Sequence, residues 1–454
     1  MKSLIGDKKF YRMVLIVCIP IVIQNGFTNF ASLLDNIMIG QLGTLSMSGV
    51  SISNQLFQVF NVSVFGAMSG AGIFLAQFYG RGNRGGVHNC FRIKMLLGLL
   101  ISILAICIFK ILGPSLISLY LNDDPTDSMT TLNFGKQYMD VMLIGLIPFA
   151  ITQVFSSSLR ETGNTVLPMK ASVIAVIVNF CINYILIFGH FGFPKLGVIG
   201  AAIGTVVSRI VEMGINIAAG LNNNYLRDAM RLDKISGDIF KNVVKRGMPL
   251  LCNEILWSIS IALISQCYST RGLSAVAAIN VTTTVTNFFM IICYAMGNSI
   301  SIIVGQRLGA GEIEYAKDCD LKMVFMNFMM CLCIGVALFL CSSFIPQIYN
   351  TSMEVKSLAT SLLRVSACML PIISLYYSSY FTMRAGGKTL LTFFFDSGYT
   401  FMFTFMVALC LTRFTDLPIF NVYLLVQCVD IPKAVLGITL VKKGIWVHNI
   451  VNEL

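Results

Sequence analysis

Charge is what this chain has least of. Only 12% of its 454 residues are Asp, Glu, Lys or Arg, while 56% are hydrophobic, and the mean hydropathy is +0.79. Soluble chains carry about a quarter charged residues, so this scarcity excludes a water-soluble globular protein and makes lipid the solvent. Histidine is nearly missing: His88, His190 and His448 stand far apart, too sparse for a metal site. Fourteen cysteines are scattered through apolar runs, and Cys331/Cys333 is the one close pair within a run. Nothing in that spacing points to disulfides or zinc, which leaves them as small buried hydrophobes. The chain also lacks Gly-x-Ser-x-Gly, His-Glu-x-x-His and a phosphate-binding Gly-rich Lys motif. A membrane enzyme and an ATP-driven machine both lose their usual signatures.

What is present is a series of apolar runs, each long enough to cross a hydrocarbon core about 30 Å thick. Spans are predicted near 13–35, 49–77, 91–120, 134–158, 166–188 and 196–219, then near 246–269, 275–305, 321–347, 357–382, 389–411 and 419–441. The first follows Lys2, Lys8, Lys9 and Arg12, as a signal peptide would. It is too long and contains Pro20, Gln24 and Asn25, so it reads as a retained helix. The polar stretch between the two sets predicts three parts: an amino-terminal lobe over 1–221, a linker over 222–245 and a carboxy-terminal lobe over 246–454. Lys and Arg concentrate in alternate loops, among them Arg81/Arg84/Arg92/Lys94 and the linker cluster from Arg227 to Arg246. That asymmetry predicts a multi-pass protein of the cell membrane with both termini cytoplasmic, and it accounts for the net charge of +11 without nucleic-acid binding.

The two sets repeat one another. Pro20 to Gln77 covers the same distance as Pro249 to Gln306, and at that offset of 229 Gly43 falls on Gly272, Phe60 on Phe289, Gly80 on Gly309 and Gly82 on Gly311. Later, Arg160-Glu-Thr-Gly-Asn-Thr165 matches Arg384-Ala-Gly-Gly-Lys-Thr389 at an offset of 224. An even number of spans per repeat inserts both halves the same way up. The predicted fold is therefore an all-α polytopic membrane protein, with twelve transmembrane helices in two six-helix bundles related by a pseudo-twofold axis along the membrane normal.

Pro20 followed by Leu34-Asp-Asn-Ile-Met-Ile-Gly-Gln-Leu-Gly43, the Gln77 to Gly82 turn and Leu159-Arg-Glu-Thr-Gly-Asn-Thr165 together resemble the multidrug and toxin extrusion (MATE) exporters. The resemblance runs over nearly the whole chain. It implies a secondary active antiporter that expels amphipathic organic cations in exchange for protons or sodium, with no cofactor beyond that coupling ion. It also implies an acidic residue fifteen positions after a helix-bending proline, here Asp35 after Pro20. Some members add an Asn and an acid four apart on the fifth helix and a Thr on the sixth. Asn179 and Thr205 match, but Asn183 stands where the second acid would be, so the possible sodium site of Asp35, Asn179 and Thr205 carries less charge. A Glu on the seventh helix recurs in the family, often eight after the proline. Glu254 comes five after Pro249, nearly one turn away, and Trp257 takes the eighth place.

Ionisable groups inside spans cost roughly 2.5–3.5 kcal/mol on insertion scales and are functional candidates by default. Arg209/Glu212 and Asp430/Lys433 are spaced i, i+3 and can neutralise one another, and Arg364 could pair with Asp396 across neighbouring helices. Asp35 and Glu254 have no such local partner. Matched prolines beside polar pairs, Gln24/Asn25 and Asn253/Glu254, point to a cavity lined by those four residues. Tyr, Phe and Met are numerous enough to line an adaptable cavity for aromatic cations. The expected partners are the bilayer and small organic cations, with the chain acting as a monomer. The alternatives are a lipid-linked precursor flippase, for which Arg209, Arg364 and Lys433 would be the cationic candidates, or an exporter of an endogenous metabolite.

Overall fold

With few charges to hydrate and no water to satisfy the backbone, each long apolar run must close its own hydrogen bonds as a helix. A computed structural model of the chain shows this for residues 4–121, 125–231, 233–349 and 351–453. Lys2 of the amino-terminal basic cluster lies outside them. Twelve helices among the described residues are long and apolar enough to span a membrane: α1 Lys8–Gly40, α2 Thr44–Gly80, α3 Arg84–Ser118, α4 Thr126–Glu161, α5 Val166–Phe188, α6 Val198–Leu221, α7 Gly237–Ser269, α8 Leu273–Gly309, α9 Ile313–Cys341, α10 Met353–Ala385, α11 Thr389–Phe414 and α12 Ile419–Lys442. No strand occurs among those residues. Even the shortest, of 23 residues, is about 35 Å long at ~1.5 Å per residue, enough to cross.

The turns repeat along with the sequence. Gly82 and Gly311 both close their helices with positive φ, at 73° and 79°, and Gly163 and Gly387 do so at 83° and 69°. Only glycine takes that conformation without strain. Two further helix starts are capped by side chains, Asn83 accepting from Gly86 N at 2.9 Å and Ser352 from Val355 N at 3.3 Å.

The contacts divide the chain into two compact units. The amino-terminal unit comprises Ile23–Leu75 and Asn83–Val244; the carboxy-terminal unit comprises Lys245–Leu454 together with Met1–Val22 and Ala76–Gly82. The first half of α1 thus packs with the second repeat, where Phe10, Val14 and Cys18 join a core with Met296, Ile300 and Trp446. Residues 222–244 are fastened to the amino-terminal unit: Ala229 is buried, and Arg92 on α3 donates to Ala229 O at 3.1 Å and to Asp233 at 2.9 Å. The last part of the predicted linker is already helical, since α7 begins at Gly237, with Asp238 in its first turn where a carboxylate suits the helix dipole.

Three details differ from a set of plain spans. α11 winds in wide π turns over Phe394–Gly398 and Thr400–Phe405. α4 is broken by a tighter turn at Leu143–Gly145. Within the carboxy-terminal unit, α2 and α8 meet reciprocally: a methyl added at Gly80 would land on the Gln306 carbonyl, and one added at Gly309 on the Gln77 carbonyl. These are the residue pairs that the offset of 229 superposes.

Candidate functional site

In the amino-terminal unit, the fifteen residues after Pro20 bring Asp35 opposite one face of α5, where Asn179 and Asn183 are one turn apart. Asn183 Nδ2 donates to Asp35 Oδ1 at 2.7 Å. The Asn179 amide satisfies its neighbours when turned so that its nitrogen also donates to Asp35 Oδ1, at 2.9 Å, with its oxygen 3.3 Å from Thr205 N. Both Asn side chains are buried. Asn183 Oδ1 faces Gly204, whose missing side chain leaves room for it, and has no hydrogen-bond partner among the described residues. The four expected residues therefore meet around one carboxylate, with amide nitrogens turned towards its charge and an oxygen left over. Both amides present N–H donors to Asp35, and the Thr205 hydroxyl donates to Ala201 O at 3.1 Å, so a hard cation such as sodium fits only if the amides turn their oxygens towards the carboxylate.

One turn after Pro20, Gln24 is buried and both ends of its amide are used. Its Oε1 accepts from Arg160 on α4 at 3.1 Å, and its Nε2 donates to Ser172 on α5 at 2.8 Å. Ser172 in turn donates to Glu212 on α6 at 2.5 Å. This relay corrects the expected Arg209–Glu212 pair. Arg209 turns to α4, over the Phe149 ring at 4.9 Å and towards Gly145 O at 3.5 Å, because each side chain has a better partner on a different neighbour. Asn25 is half-buried. Lys94, counted above among loop cations, is fully buried and paired with Glu161 at 2.5 Å, with Ser157 at 3.0 Å.

In the carboxy-terminal unit, Pro249 lies inside α7 and Asn253 follows it by one turn. Asn253 Nδ2 donates to Asp396 Oδ2 on α11 at 3.0 Å, and its Oδ1 accepts from Ser397 N at 3.2 Å. Lys433 on α12 donates to Asp396 Oδ1 at 2.9 Å, to Thr400 Oγ1 at 3.2 Å and to Asp396 O at 3.4 Å, and lies 4.5 Å from the centre of the Tyr376 ring. Two backbone groups of the π-wound stretch are thus taken by side chains, which fits its departure from α geometry. Glu254 Oε1 accepts from the Tyr380 hydroxyl at 2.9 Å. Two expected pairings do not form. Arg364 donates to Ser342 and Ser343 at 3.3 and 3.1 Å, where hydroxyls at the end of α9 are nearer than Asp396, and Lys433 pairs with Asp396 instead of Asp430. Beside this network is a cavity of about 320 Å³, with Trp257, Tyr268, Tyr376, Tyr423, Asp430 and Lys433 among its walls.

The MatE family model matches residues 20–185 and 249–410, the two repeats in turn and well over half the chain. The chain belongs to the MatE family. Relatives of this MatE protein include the "Probable multidrug resistance protein NorM" of Thermotoga maritima, 26% identical over 82% of this chain and 80% of that one. The "Multidrug resistance protein MdtK" of Pectobacterium atrosepticum is 22% identical over 77% and 76%. Among solved structures, a MATE protein in complex with MaL6 superposes with a TM-score of 0.85 at 20% identity, covering 97% of both chains. A transporter of the MOP superfamily from Pyrococcus furiosus, described as having reversed pocket polarity, superposes at 0.84 with 19% identity, covering 97% and 96%. Those superpositions establish the fold. The MatE chain is a multi-pass membrane transporter of twelve spans, and MatE proteins are transporters rather than enzymes.

Proposed function

We propose that the chain is a secondary active antiporter of the cell membrane. It exports amphipathic organic cations in exchange for protons or sodium, by alternating access of two lobes, as a monomer with both termini cytoplasmic. The observation that carries this reading is that Asp35 is a carboxylate inside a span held by Asn amides and no protein cation, while Glu254 accepts from the Tyr380 hydroxyl with the Arg384 guanidinium close enough to act on its charge. An acid held as Asp35 is can be occupied in turn by a proton, a metal ion or a substrate cation. Two unit charges about 4 Å apart attract by about 4 kcal/mol at an effective dielectric of about 20, against about 1 kcal/mol in water. Neutralising the acid from outside therefore weakens a bound cation by roughly a hundredfold to a thousandfold. The names of the relatives, as multidrug resistance proteins, support the cargo class. A lipid-pyrophosphate carrier would need cations gathered in one cavity; of the three candidates Lys433 is matched by Asp396, Arg209 turns to Phe149 and Gly145 O in the other unit, and Arg364 donates to Ser342 and Ser343.

The test is efflux of a fluorescent organic cation from proteoliposomes carrying purified protein, with proton and sodium gradients imposed separately. Transport driven by one gradient names the coupling ion. Absence of transport under both removes the antiporter reading.

A further inference from the structure

Three observations in the carboxy-terminal unit bear on which group meets the cargo. The first is the wall of the cavity of about 320 Å³: Trp257, Tyr268, Tyr376 and Tyr423 surround it, and Asp430 and Lys433 are its charged residues. The second is the state of Lys433. An ammonium has three donors, and all of them are engaged, by Asp396 Oδ1, Asp396 O and Thr400 Oγ1. Nothing remains to receive an anion. Asp430, three residues away on the same helix, makes no ion pair among the described residues, although the Lys433 charge and the Tyr376 hydroxyl act on it; with Asp396 beside it, two carboxylates face one ammonium, which leaves this side of the cavity one negative charge in excess. The third is a pair of wall hydroxyls, Thr286 and Thr404, which have no hydrogen-bond partner among the described residues. Buried polar groups are ordinarily satisfied, and these point to an occupant.

We infer that Asp430 is the counter-charge for the organic cation, bound among the aromatic rings of this cavity, and that Lys433 keeps Asp396 out of that role. The inference rests on the organic-cation reading above and deepens it by separating two acids. Glu254, held by Tyr380, is outside the cavity wall and belongs to ion coupling; Asp430, among ring faces that favour a delocalised cation, belongs to cargo recognition. α12 favours this placement, because its helix is interrupted at Val429, whose carbonyl is taken by the Tyr399 hydroxyl at 3.0 Å. Asp430 opens the following segment.

The chain has only two tryptophans, and Trp446 is buried in a core, so quenching of Trp257 reports occupancy of the cavity. Tetraphenylphosphonium and tetraphenylborate have the same shape and opposite charge. In purified full-length protein, Asp430→Asn should raise the Kd for tetraphenylphosphonium at least tenfold and leave tetraphenylborate binding unchanged or tighter, which also shows that the cavity is intact. Gln427→Lys, one turn away on the cavity wall, leaves Asp430 in place but supplies it with a partner, and should weaken tetraphenylphosphonium in the same way. Trp257→Phe removes the signal and serves as the control. Equal tetraphenylphosphonium affinity in Asp430→Asn and the parent, with cation efflux by the parent intact, overturns the assignment of Asp430 alone. A parent protein that neither binds nor exports the cation overturns the underlying reading as well.

Discussion

The two halves carry similar hydrogen-bonded relays that end on different groups, an acid in one and a base in the other. Gln24 on α1 reaches Ser172 on α5, which reaches Glu212 on α6. Asn253 on α7 reaches Asp396 on α11, which receives Lys433 of α12. Gln24 and Asn253 are equivalent at the offset of 229, and Ser172 and Asp396 at the offset of 224. What repeats is the scaffold, a carboxamide one turn after a proline that ties the first helix of each half to the fifth and sixth. The end of each relay is not a repeated position: at the offset of 224 Lys433 falls on Arg209 and Glu212 on Leu436. At the offset of 229 Asp35 falls on Ile264 and Glu254 on Asn25, so each of these two proposed coupling acids has an uncharged counterpart in the other half.

The sharpest way to break this comparison is Glu254→Gln, which should abolish cation efflux while membrane expression stays normal; unaltered efflux would return Glu254 to a structural role. Next comes Lys433→Ala, which leaves the Asp396 carboxylate enclosed without its cation and should cost about 3–5 kcal/mol, read as a large loss of thermal stability in detergent. Asp35→Asn should flatten the pH dependence of transport, and a profile that keeps its shape would remove Asp35 from coupling. In the amino-terminal relay, Gln24→Ala strands Arg160 and Ser172 and should cost about 1–3 kcal/mol. Smallest of all, Glu212→Gln keeps an acceptor for Ser172 and should cost no more than about 1.5 kcal/mol. If Glu212→Gln proves as damaging as Lys433→Ala, the two relays are not equivalent in kind.

The spans were readable in the sequence because lipid leaves the backbone one solution, and composition alone locates it. The repeat was readable because prolines and turn glycines such as Gly82 and Gly311 cannot drift without strain. The gathering of Asp35, Asn179, Asn183 and Thr205 was expected from family resemblance, since four residues on three helices have no local signature. Partner choice was hidden. Spacing of i, i+3 made Asp430 the natural mate of Lys433, yet Asp396, thirty-seven residues earlier, holds it through a geometry set by the π-wound part of α11. Lys94 shows the same limit: beside a loop it counts as a loop cation until Glu161 is seen against it. Tyr380 was missed outright, as one tyrosine among fifteen with no pattern to distinguish it.

The reciprocal approach of Gly80 to Gln306 and of Gly309 to Gln77 has a consequence for how errors are tolerated. The contact is isologous, like the dyad of a homodimer, although both sides belong to one chain. Gly80→Ala and Gly309→Ala are therefore one physical experiment performed twice, each forcing a methyl into a backbone carbonyl. Their stability losses should be equal. Introducing both should cost less than their sum, because the first methyl has already pushed the helices apart for the second.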